Sequence, residues 1–127
     1  MQDGKHVILC VDDDEDILFV MQQVLEANGY IFAGAPSAEE GLKAFKVVNP
    51  DLMFVDLMME EVDAGANLVK DLKLAGNTAP VLMLSSVGDS MAEMTDYSEL
   101  GLAGVLQKPI ESEQLLALIR GKLGGAA

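Results

Sequence analysis

Three aspartates follow two apolar segments of the chain in a pattern that brings carboxylates together. Asp12 and Asp13 come directly after the apolar run 7–11, and Asp56 ends a second apolar run, 52–55. Like charges within a few Å of one another raise each other's pKa and repel unless a cation lies between them. Carboxylate oxygens suit Mg²⁺, which takes one or two of them, keeps waters and completes its octahedron with phosphate oxygens. The three acids therefore predict a magnesium site whose chemistry concerns a phosphoryl group.

Two more polar side chains follow predicted strands in the same way. Ser85 comes directly after the fourth apolar run, and Lys108 follows the short predicted strand 105–107. Taken singly, each has an ordinary structural explanation, a turn hydroxyl for Ser85 and a solvated surface charge for Lys108. Asp12 or Asp14 could likewise serve as a helix N-cap. Together, however, these polar groups at strand ends indicate a functional site.

The composition is that of a small globular domain with an acidic surface. The chain has 127 residues, of which 50% are apolar, enough for one hydrophobic core. Its net charge is 8 − 21 = −13, which repels nucleic-acid phosphates and anionic lipid. We therefore expect one domain whose partner is another protein, without direct contact to nucleic acid or membrane.

The single cysteine indicates a reducing compartment, and the start of the chain indicates the cytoplasm. Cys10 is the only cysteine, so no intrachain disulfide can form, and its place inside an apolar run predicts a buried, inert thiol. No signal-peptide core precedes the first apolar run, and no run approaches the roughly 18 residues of a membrane span. We expect a cytoplasmic protein.

Strand and helix patterns alternate along the chain without a linker or an internal repeat. Asn28-Gly29 and Gly76-Asn77 predict the ends of two helices, and the segment 37–40 has the pattern of a capping box. The predicted strands are 7–11, 30–33, 52–56, 81–84 and 105–107. The predicted helices carry apolar stripes at 17–25, 42–48, 68–72, about 89–100 and 115–123.

Strands that are apolar throughout, rather than in alternation, indicate burial on both faces of a sheet. Helices on each side of a parallel sheet supply that burial, so the pattern predicts a doubly wound α/β fold. Ligands of such folds bind outside the carboxyl ends of the strands, where the aspartates, Ser85 and Lys108 are expected. The fold class and the polar groups therefore indicate the same edge of the molecule.

Four motifs together resemble the receiver domain of bacterial response regulators, from Lys5 to about Leu123. They are Val11-Asp12-Asp13 after the first strand, the segment 50–59 around Asp56, Leu84-Ser85-Ser86 after the fourth strand and Gln107-Lys108-Pro109 after the fifth. The resemblance implies a flavodoxin-like, five-stranded parallel sheet of order 2-1-3-4-5 with about five helices. It implies a single receiver domain over 1–127, with a core at about 5–123 and no output domain. A segment cut from a longer regulator would look the same.

The resemblance assigns a role to each acid. Asp56 is the implied phosphoacceptor, whose carboxylate attacks the phosphohistidine of a sensor histidine kinase or a phosphotransfer protein to form an acyl phosphate. Asp12, Asp13 and Asp56 are implied ligands of Mg²⁺ or Mn²⁺. The backbone carbonyl of Met58 is implied as a further ligand. Catalysis would then consist of positioning and charge neutralisation.

The resemblance also assigns the groups that hold the phosphoryl oxygens. Ser85 stands where the family has a Thr or Ser hydroxyl that donates to one oxygen, and Lys108 pairs with another. Pro109 matches the family's cis proline after that lysine. Phosphorylation adds about one and a half to two negative charges, so the loops after the third and fourth strands rearrange around the new acceptor oxygens.

The chain departs from the family's pattern at two places. Val105 replaces an aromatic residue of the fifth strand, and its stiff side chain has no ring to turn inward, which puts that mode of signal transmission in doubt. An acidic segment with Glu60, Glu61 and Asp63 replaces a Pro-Gly stretch after the phosphoacceptor. We leave open whether this segment attracts Mg²⁺, disfavours an anionic phosphodonor, contacts a basic partner or is simply solvated.

Two apolar residues suggest a slow loss of the phosphoryl group. Met58 and Val87 occupy positions at which the family tunes hydrolysis of the acyl phosphate. Because neither side chain positions an attacking water, we hypothesise a long-lived phosphorylated form, which a half-life of seconds would contradict.

Met91, Met94 and Tyr97 of the predicted fourth helix either offer an apolar contact surface or simply pack onto the sheet.

The implied function is that of a two-component switch. The chain would accept a phosphoryl group on Asp56 with Mg²⁺ and then change its contacts with an unknown downstream protein, with only self-directed phosphotransfer and autodephosphorylation as its chemistry. Two other interpretations remain open. The first is a phosphorylation-independent adaptor, although the complete set of acids, hydroxyl and lysine argues against it. The second is a Mg²⁺-dependent phosphohydrolase, which would lack a general acid because Met58 stands where haloacid-dehalogenase-type phosphatases have a second Asp.

Overall fold

The computed structural model of the chain describes residues 4–56, 64–85 and 103–123. Five strands and four helices are found within these residues. In chain order they are β1 (Val7–Val11), α1 (Glu15–Ala27), β2 (Ile31–Ala35), α2 (Ala38–Val48), β3 (Leu52–Asp56), α3 (Ala64–Leu74), β4 (Val81–Ser85), β5 (Gly104–Gln107) and α4 (Ser112–Leu123). The helix predicted at about 89–100 lies outside the described residues.

The five strands form one parallel sheet in the order β2-β1-β3-β4-β5. Helices α1 and α4 pack on one face and α2 and α3 on the other, which confirms the predicted doubly wound fold. The central strands β1, β3 and β4 are buried along their whole length. β2 and β5 are only partly buried because each forms an edge of the sheet. The prediction of burial on both faces therefore holds for the central strands.

Successive side chains of the central strands enter two separate hydrophobic clusters. Phe54 packs with α1 and α4, whereas Met53 packs with α2 and α3. Cys10 lies in the first cluster and is fully buried. Burial raises the pKa of its thiol, and the charge of Asp12 raises it further. The thiol therefore stays protonated, in agreement with the predicted inert cysteine.

Side-chain caps fix where two of the helices begin. Asp14 is the N-cap of α1, and its carboxylate accepts the N–H of Asp16 at 2.9 Å. Ser37 caps α2, and its hydroxyl accepts the N–H of Glu40 at 3.1 Å. Each cap satisfies a backbone donor that has no partner inside its helix. After α3, Gly76 takes a φ of +88°, a left-handed conformation that favours glycine.

β2 is longer than the prediction that ends at residue 33. The strand continues through Gly34 to Ala35, which pair with Cys10 and Val11 of β1. Small side chains carry little strand propensity, so the pattern of bulky residues ends before the hydrogen-bonded ladder does.

The predicted apolar stripe of α2 is only partly buried. Leu42, Phe45 and Val48 each keep some exposure, and the fully buried position of the helix is Gly41. A Cβ atom at Gly41 would lie 2.8 Å from Cγ2 of Val11. The helix therefore approaches β1 most closely where it has no side chain.

Candidate functional site

β1 and β3 are neighbours in the sheet, and their register places two aspartates at the same edge. Val11 pairs with Val55, so Asp12, which follows β1, lies beside Asp56, the last residue of β3. Asp12 is 0% and Asp56 is 4% exposed, whereas Asp13 is exposed. One carboxylate oxygen from each of the three lies within 4.8 Å of the other two. The structure thus assembles the three acids that the sequence singles out.

Asp12 has a close contact on each of its carboxylate oxygens. The backbone N–H of Asp14 donates to Oδ1 at 2.9 Å, and Nζ of Lys108 lies 2.8 Å from Oδ2. Burial raises the pKa of Asp12 to about 6; Lys108 and the Asp14 hydrogen bond oppose this rise, and the charge of Asp56 adds to it. A carboxylate with no exposure depends on nearby cations to keep its charge.

Lys108 bridges the two buried aspartates. Besides its contact with Asp12, its Nζ donates to Oδ2 of Asp56 at 3.1 Å, and its side chain is 13% exposed. Burial alone would lower the pKa of Lys108, but its contacts with the two carboxylates raise it above the ordinary value. The side chain therefore stays an ammonium at neutral pH. The peptide bond from Lys108 to Pro109 is cis.

Ser85 ends β4, the strand next to Asp56. The register pairs Asp56 with Leu84, and the following residue of β4, Ser85, pairs with Gln107 of β5. The carbonyl oxygen of Ser85 accepts the N–H of Lys108 at 2.7 Å, and Ser85 is 1% exposed. The predicted serine and lysine therefore lie at the same edge as the acids, joined by a backbone hydrogen bond.

Val105 lies on the edge strand β5 and belongs to a different surface. It is 42% exposed. With Gln114 and Leu118 of α4 it lines a cavity of about 350 Å³. The residue that replaces the family's aromatic is therefore placed beside α4.

Several predicted residues lie outside the described part of the chain. Their roles as ligand, acidic segment, hydrolysis-tuning position or contact surface stay predictions. They are Met58, Glu60, Glu61, Asp63, Val87, Met91, Met94 and Tyr97.

One carboxylate outside the predicted set fixes the opposite edge of the sheet. Oδ2 of Asp51 accepts the N–H of Val7 at 2.8 Å, and the N–H of Asp51 donates to the carbonyl of Val7 at 2.8 Å. The start of β1 is thereby joined to the residue that precedes β3. The sequence feature that could have identified Asp51 is an aspartate directly before an apolar strand, because such side chains commonly accept backbone N–H groups.

The acid cluster fits a hard divalent cation. Its donors are carboxylate oxygens from three residues, close enough together to bind one ion. Oδ2 of Asp12 is buried and, although Lys108 lies beside it, accepts no well-directed hydrogen bond from the described residues. A lone pair of this oxygen is therefore available to a metal ion. The described residues fit Mg²⁺ or Mn²⁺ on the chemistry of their donors.

Residues 8–120 match the family model described as the response regulator receiver domain. The chain belongs to this family. The match spans Asp12, Asp56, Ser85 and Lys108, and it confirms the resemblance that the motifs carry. Receiver domains generally bind Mg²⁺ at an acidic pocket and are phosphorylated by histidine kinases, which makes this a signalling family rather than a catalytic one.

The receiver domain is similar to curated bacterial regulators. It is 32% identical over 116 residues to the alkaline phosphatase synthesis transcriptional regulatory protein PhoP of Bacillus subtilis, which covers 91% of this chain and 48% of that protein. It is 34% identical over 119 residues to the response regulator MprA of Mycobacterium leprae, which covers 91% of this chain and 50% of that protein. The receiver domain thus spans about half the length of these relatives.

Solved structures show the same fold. The chemotaxis protein CheY4 of Vibrio cholerae matches with a TM-score of 0.85 and 26% identity, over 94% of this chain and 100% of that one. A CheY-like response regulator receiver domain protein of Methanospirillum hungatei matches with a TM-score of 0.83 and 29% identity, over 94% of each chain. Neither the adaptor nor the phosphohydrolase interpretation gains support from these matches.

Among the described residues, no helix has the length and apolar character that crossing a membrane requires.

Proposed function

We propose that Asp56 is the phosphoacceptor of this receiver domain and that Asp12, Asp13 and Asp56 hold Mg²⁺ or Mn²⁺ while it is phosphorylated. The observation that carries the proposal is the position of Asp56 within the acid cluster and in contact with the Lys108 ammonium. Asp56 keeps 4% exposure, whereas Asp12 has none. Of the two buried acids, Asp56 is therefore the one that keeps some solvent-accessible surface.

The proposed reaction moves a phosphoryl group from a phosphohistidine to Asp56. A carboxylate oxygen of Asp56 forms the new O–P bond while the N–P bond of the donor breaks. The electron pair of that bond stays on the ring nitrogen, and because the other ring nitrogen of the phosphohistidine carries a proton, the leaving group is a neutral imidazole. The product is an acyl phosphate. The metal ion, when bound, supplies positive charge that stabilises the phosphoryl oxygens.

Lys108 would change partners during this reaction. Its ammonium lies 2.8 Å from Asp12 and 3.1 Å from Asp56 before phosphorylation. Once Asp56 carries a phosphoryl group, the new oxygens are stronger attractors of the ammonium, because a phosphoryl group brings about one and a half to two negative charges. We assign Lys108 to one phosphoryl oxygen and the hydroxyl of Ser85 to another.

Signal transmission would begin at Ser85 and Lys108. The two residues are joined through the backbone, so a movement of one displaces the other. Val105, three residues before Lys108, has no ring to turn inward. We therefore propose that the loop after β4, rather than an aromatic flip, carries the change to the surface of the domain.

The proposed donor is a sensor histidine kinase or a phosphotransfer protein, and the output is a contact with a downstream protein in the cytoplasm. The net charge of −13 disfavours nucleic acid and anionic membrane as direct partners.

The chemistry of the domain would be limited to phosphorylating itself and to hydrolysing its own acyl phosphate. The apolar side chains at Met58 and Val87 support a slow hydrolysis.

Intact-mass analysis after incubation with acetyl phosphate tests the phosphoacceptor role. We expect wild type to gain the mass of one phosphoryl group when Mg²⁺ is present and to gain none in EDTA. Asp56→Asn should gain none in either case, because an amide oxygen is a poor nucleophile at phosphorus. The decay of the adduct after removal of the donor would give the lifetime of the phosphorylated form. An adduct of equal yield on Asp56→Asn would contradict the proposal.

A further inference from the structure

Helices α2 and α3 carry the same five-residue pattern near their carboxyl ends. The segment 43–47 reads Lys-Ala-Phe-Lys-Val and the segment 70–74 reads Lys-Asp-Leu-Lys-Leu. In each helix two lysines three residues apart are followed directly by a large apolar residue. Side chains at this spacing lie on one side of a helix. The pattern therefore presents two cations and one apolar side chain together at the end of each helix.

The two helices hold a large share of the positive charge of an acidic chain. Four of its eight basic residues lie on α2 and α3, at positions 43, 46, 70 and 73. The same helices carry three acidic residues, Glu39, Glu40 and Asp71, whereas the whole chain has 21. α2 and α3 together are therefore slightly basic, while the rest of the chain is strongly acidic.

The two helix ends lie on one side of the molecule. Both helices pack on the same face of the sheet and run opposite to its parallel strands, so their last turns point the same way. They lie close together, since a Cβ atom at Gly41 of α2 would lie 3.2 Å from Cδ2 of Leu68 in α3. The last turns are at the edge of the sheet opposite to Asp12 and Asp56.

Most of these lysines have no acidic partner in the described part of the chain. Nζ of Lys43 lies 3.4 Å from Glu39 and 3.9 Å from Glu40. Among residues 4–56, 64–85 and 103–123, no carboxylate forms an ion pair with the lysines at positions 46, 70 and 73. Within this part of the chain, three ammonium groups therefore have no carboxylate partner.

The apolar residues of the pattern are unusually open to solvent. Val47 is 83% and Leu74 is 86% exposed. A cavity of about 240 Å³ lies between the end of α3 and the start of β4. Its lining includes Val69, Pro80 and Val81, with Lys73 beside them. An apolar side chain from outside could enter this cavity while a neighbouring carboxylate contacts Lys73.

We propose that the surface formed by Lys46, Val47, Lys70, Lys73 and Leu74, here called the α2–α3 surface, binds an acidic segment of another protein. Glutamates or aspartates of that segment would pair with the three lysines, and one of its apolar side chains would occupy the cavity beside Lys73. Contacts of this kind are weak and sensitive to salt, because the charges are exposed. The α2–α3 surface is therefore suited to a transient partner.

A second copy of the chain fits this surface less well than another protein does. Among the described residues, matching chemistry occurs at the start of α1, where Glu15 and Asp16 precede the exposed Phe19. A contact between two different surfaces of identical chains produces a ring or an open filament rather than a simple two-fold dimer. Membranes and nucleic acids are disfavoured by the net charge of −13. The same net charge also acts on an acidic segment, but a short segment can contact the lysines without approaching the acidic remainder of the chain, whereas a membrane or a nucleic acid presents an extended anionic surface.

The test is a binding titration with a defined probe. The probe is a short fluorescein-labelled peptide in which leucines at helical spacing lie among glutamates, and its counterpart with glutamines in place of the glutamates is the charge control. Fluorescence anisotropy with the full chain at low ionic strength is expected to show saturable binding of the acidic peptide, lost at high salt. The glutamine peptide, which carries no charge to pair with the lysines, should not bind.

Two double variants locate the binding. Lys46→Gln/Lys73→Gln removes one last-turn cation from each of α2 and α3 and should weaken binding by about three- to tenfold. Arg120→Gln/Lys122→Gln removes two last-turn cations from α4, the same charge change on another helix, and should change binding by less than about twofold. Equal weakening by both pairs would show general electrostatic attraction and would overturn the proposal.

Further measurements separate this proposal from its rivals and from the phosphoacceptor role. Leu74→Ser should weaken peptide binding without changing its salt dependence, and Asp56→Asn should bind the peptide as wild type does. No binding by wild type up to millimolar peptide would overturn the proposal. Stronger binding to phosphatidylserine vesicles than to the peptide would also overturn it. Self-association of wild type in sedimentation velocity, abolished in Lys46→Gln/Lys73→Gln, would overturn it as well. Circular dichroism of each variant verifies that it is folded.

Discussion

At the scale of single residues, the site depends on one ammonium that contacts two buried carboxylates. Lys108 lies 2.8 Å from Asp12 and 3.1 Å from Asp56, and neither carboxylate is more than 5% exposed at its side chain. Buried charges of this kind are stable only when an opposite charge compensates them. Substitutions among these residues therefore act mainly on charge compensation.

Lys108→Ala should leave phosphorylation of Asp56 possible but uncouple it from the conformational change, because no ammonium remains to pair with a phosphoryl oxygen. Without metal, the variant should also be less stable by about 3 kcal/mol, since two buried carboxylates lose their counter-charge. Urea unfolding in EDTA measures the stability, and amide NMR spectra before and after acetyl phosphate measure the change. Lys122→Ala on α4 is the control. If the amide spectrum of Lys108→Ala changed on phosphorylation as the wild-type spectrum does, Lys108 would not couple phosphorylation to the conformational change.

Asp13→Ala should weaken Mg²⁺ binding by about tenfold or more, because it removes one of the three clustered carboxylates. Isothermal titration with MgCl₂ measures the affinity. Asp16→Ala, an exposed acid in the first turn of α1, makes the same charge change outside the cluster and should have a much smaller effect. If the two variants bound Mg²⁺ equally well, Asp13 would not be a ligand.

Asp12 should give the metal-free protein a distinctive pH dependence. Burial raises its folded-state pKa from 3.8 to about 6, so the folded chain binds this proton more tightly than the unfolded chain does. The resulting stabilisation is complete below about pH 4 and is lost as the pH rises through about 6. Relative to Asp12→Asn, wild type should therefore lose on the order of 2–3 kcal/mol between about pH 4 and about pH 7. Parallel urea titrations in EDTA measure this difference, and a gap independent of pH would contradict it.

At the scale of elements, the sequence predicts what local rules control. The end of α1 at Asn28, the cap at Ser37 and the central strands follow from turn residues and apolar runs. The final residues of β2 were missed because Gly34 and Ala35 join the sheet through backbone hydrogen bonds alone. The burial of Gly41 was missed because close packing against Val11 depends on tertiary structure.

Asp51→Ala should destabilise the fold without affecting phosphorylation. Oδ2 of Asp51 accepts the N–H of Val7, and its loss leaves a partly buried donor unsatisfied at a cost of about 1–2 kcal/mol. Thermal and urea unfolding measure the stability, and acetyl phosphate with Mg²⁺ tests the site. Asp71→Ala, an exposed acid on α3, is the control and should change stability by less than about 0.5 kcal/mol. If Asp51→Ala were folded but could not be phosphorylated, Asp51 would have a role beyond its hydrogen bonds with Val7.

At the scale of the whole molecule, the topology explains why the site could be predicted from sequence. Parallel strands bring their carboxyl ends to one edge, so residues far apart in the chain, such as Asp12, Asp56 and Lys108, had to meet there. Their individual contacts could not be predicted. That Lys108 contacts both acids, and that burial changes the pKa of Asp12, depends on side-chain packing that the strand pattern does not encode.

The two edges of the sheet also differ in charge. The carboxyl edge gathers Asp12, Asp13 and Asp56, whereas the last turns of α2 and α3 at the opposite edge carry Lys46 and Lys73. Phosphorylation would make the acidic edge more negative and leave the basic edge unchanged. The two surfaces can therefore serve different partners at the same time.

The most direct test of the central claim is to identify the residue that carries the phosphoryl group. Borohydride reduction of the protein phosphorylated by acetyl phosphate converts an aspartyl phosphate to homoserine, which peptide sequencing by mass spectrometry locates. We predict homoserine at position 56 alone, dependent on Mg²⁺ and absent from an unphosphorylated sample. Homoserine at position 12 or 13 instead, or none in a protein that has gained the phosphoryl mass, would contradict the account of Asp56 as the phosphoacceptor.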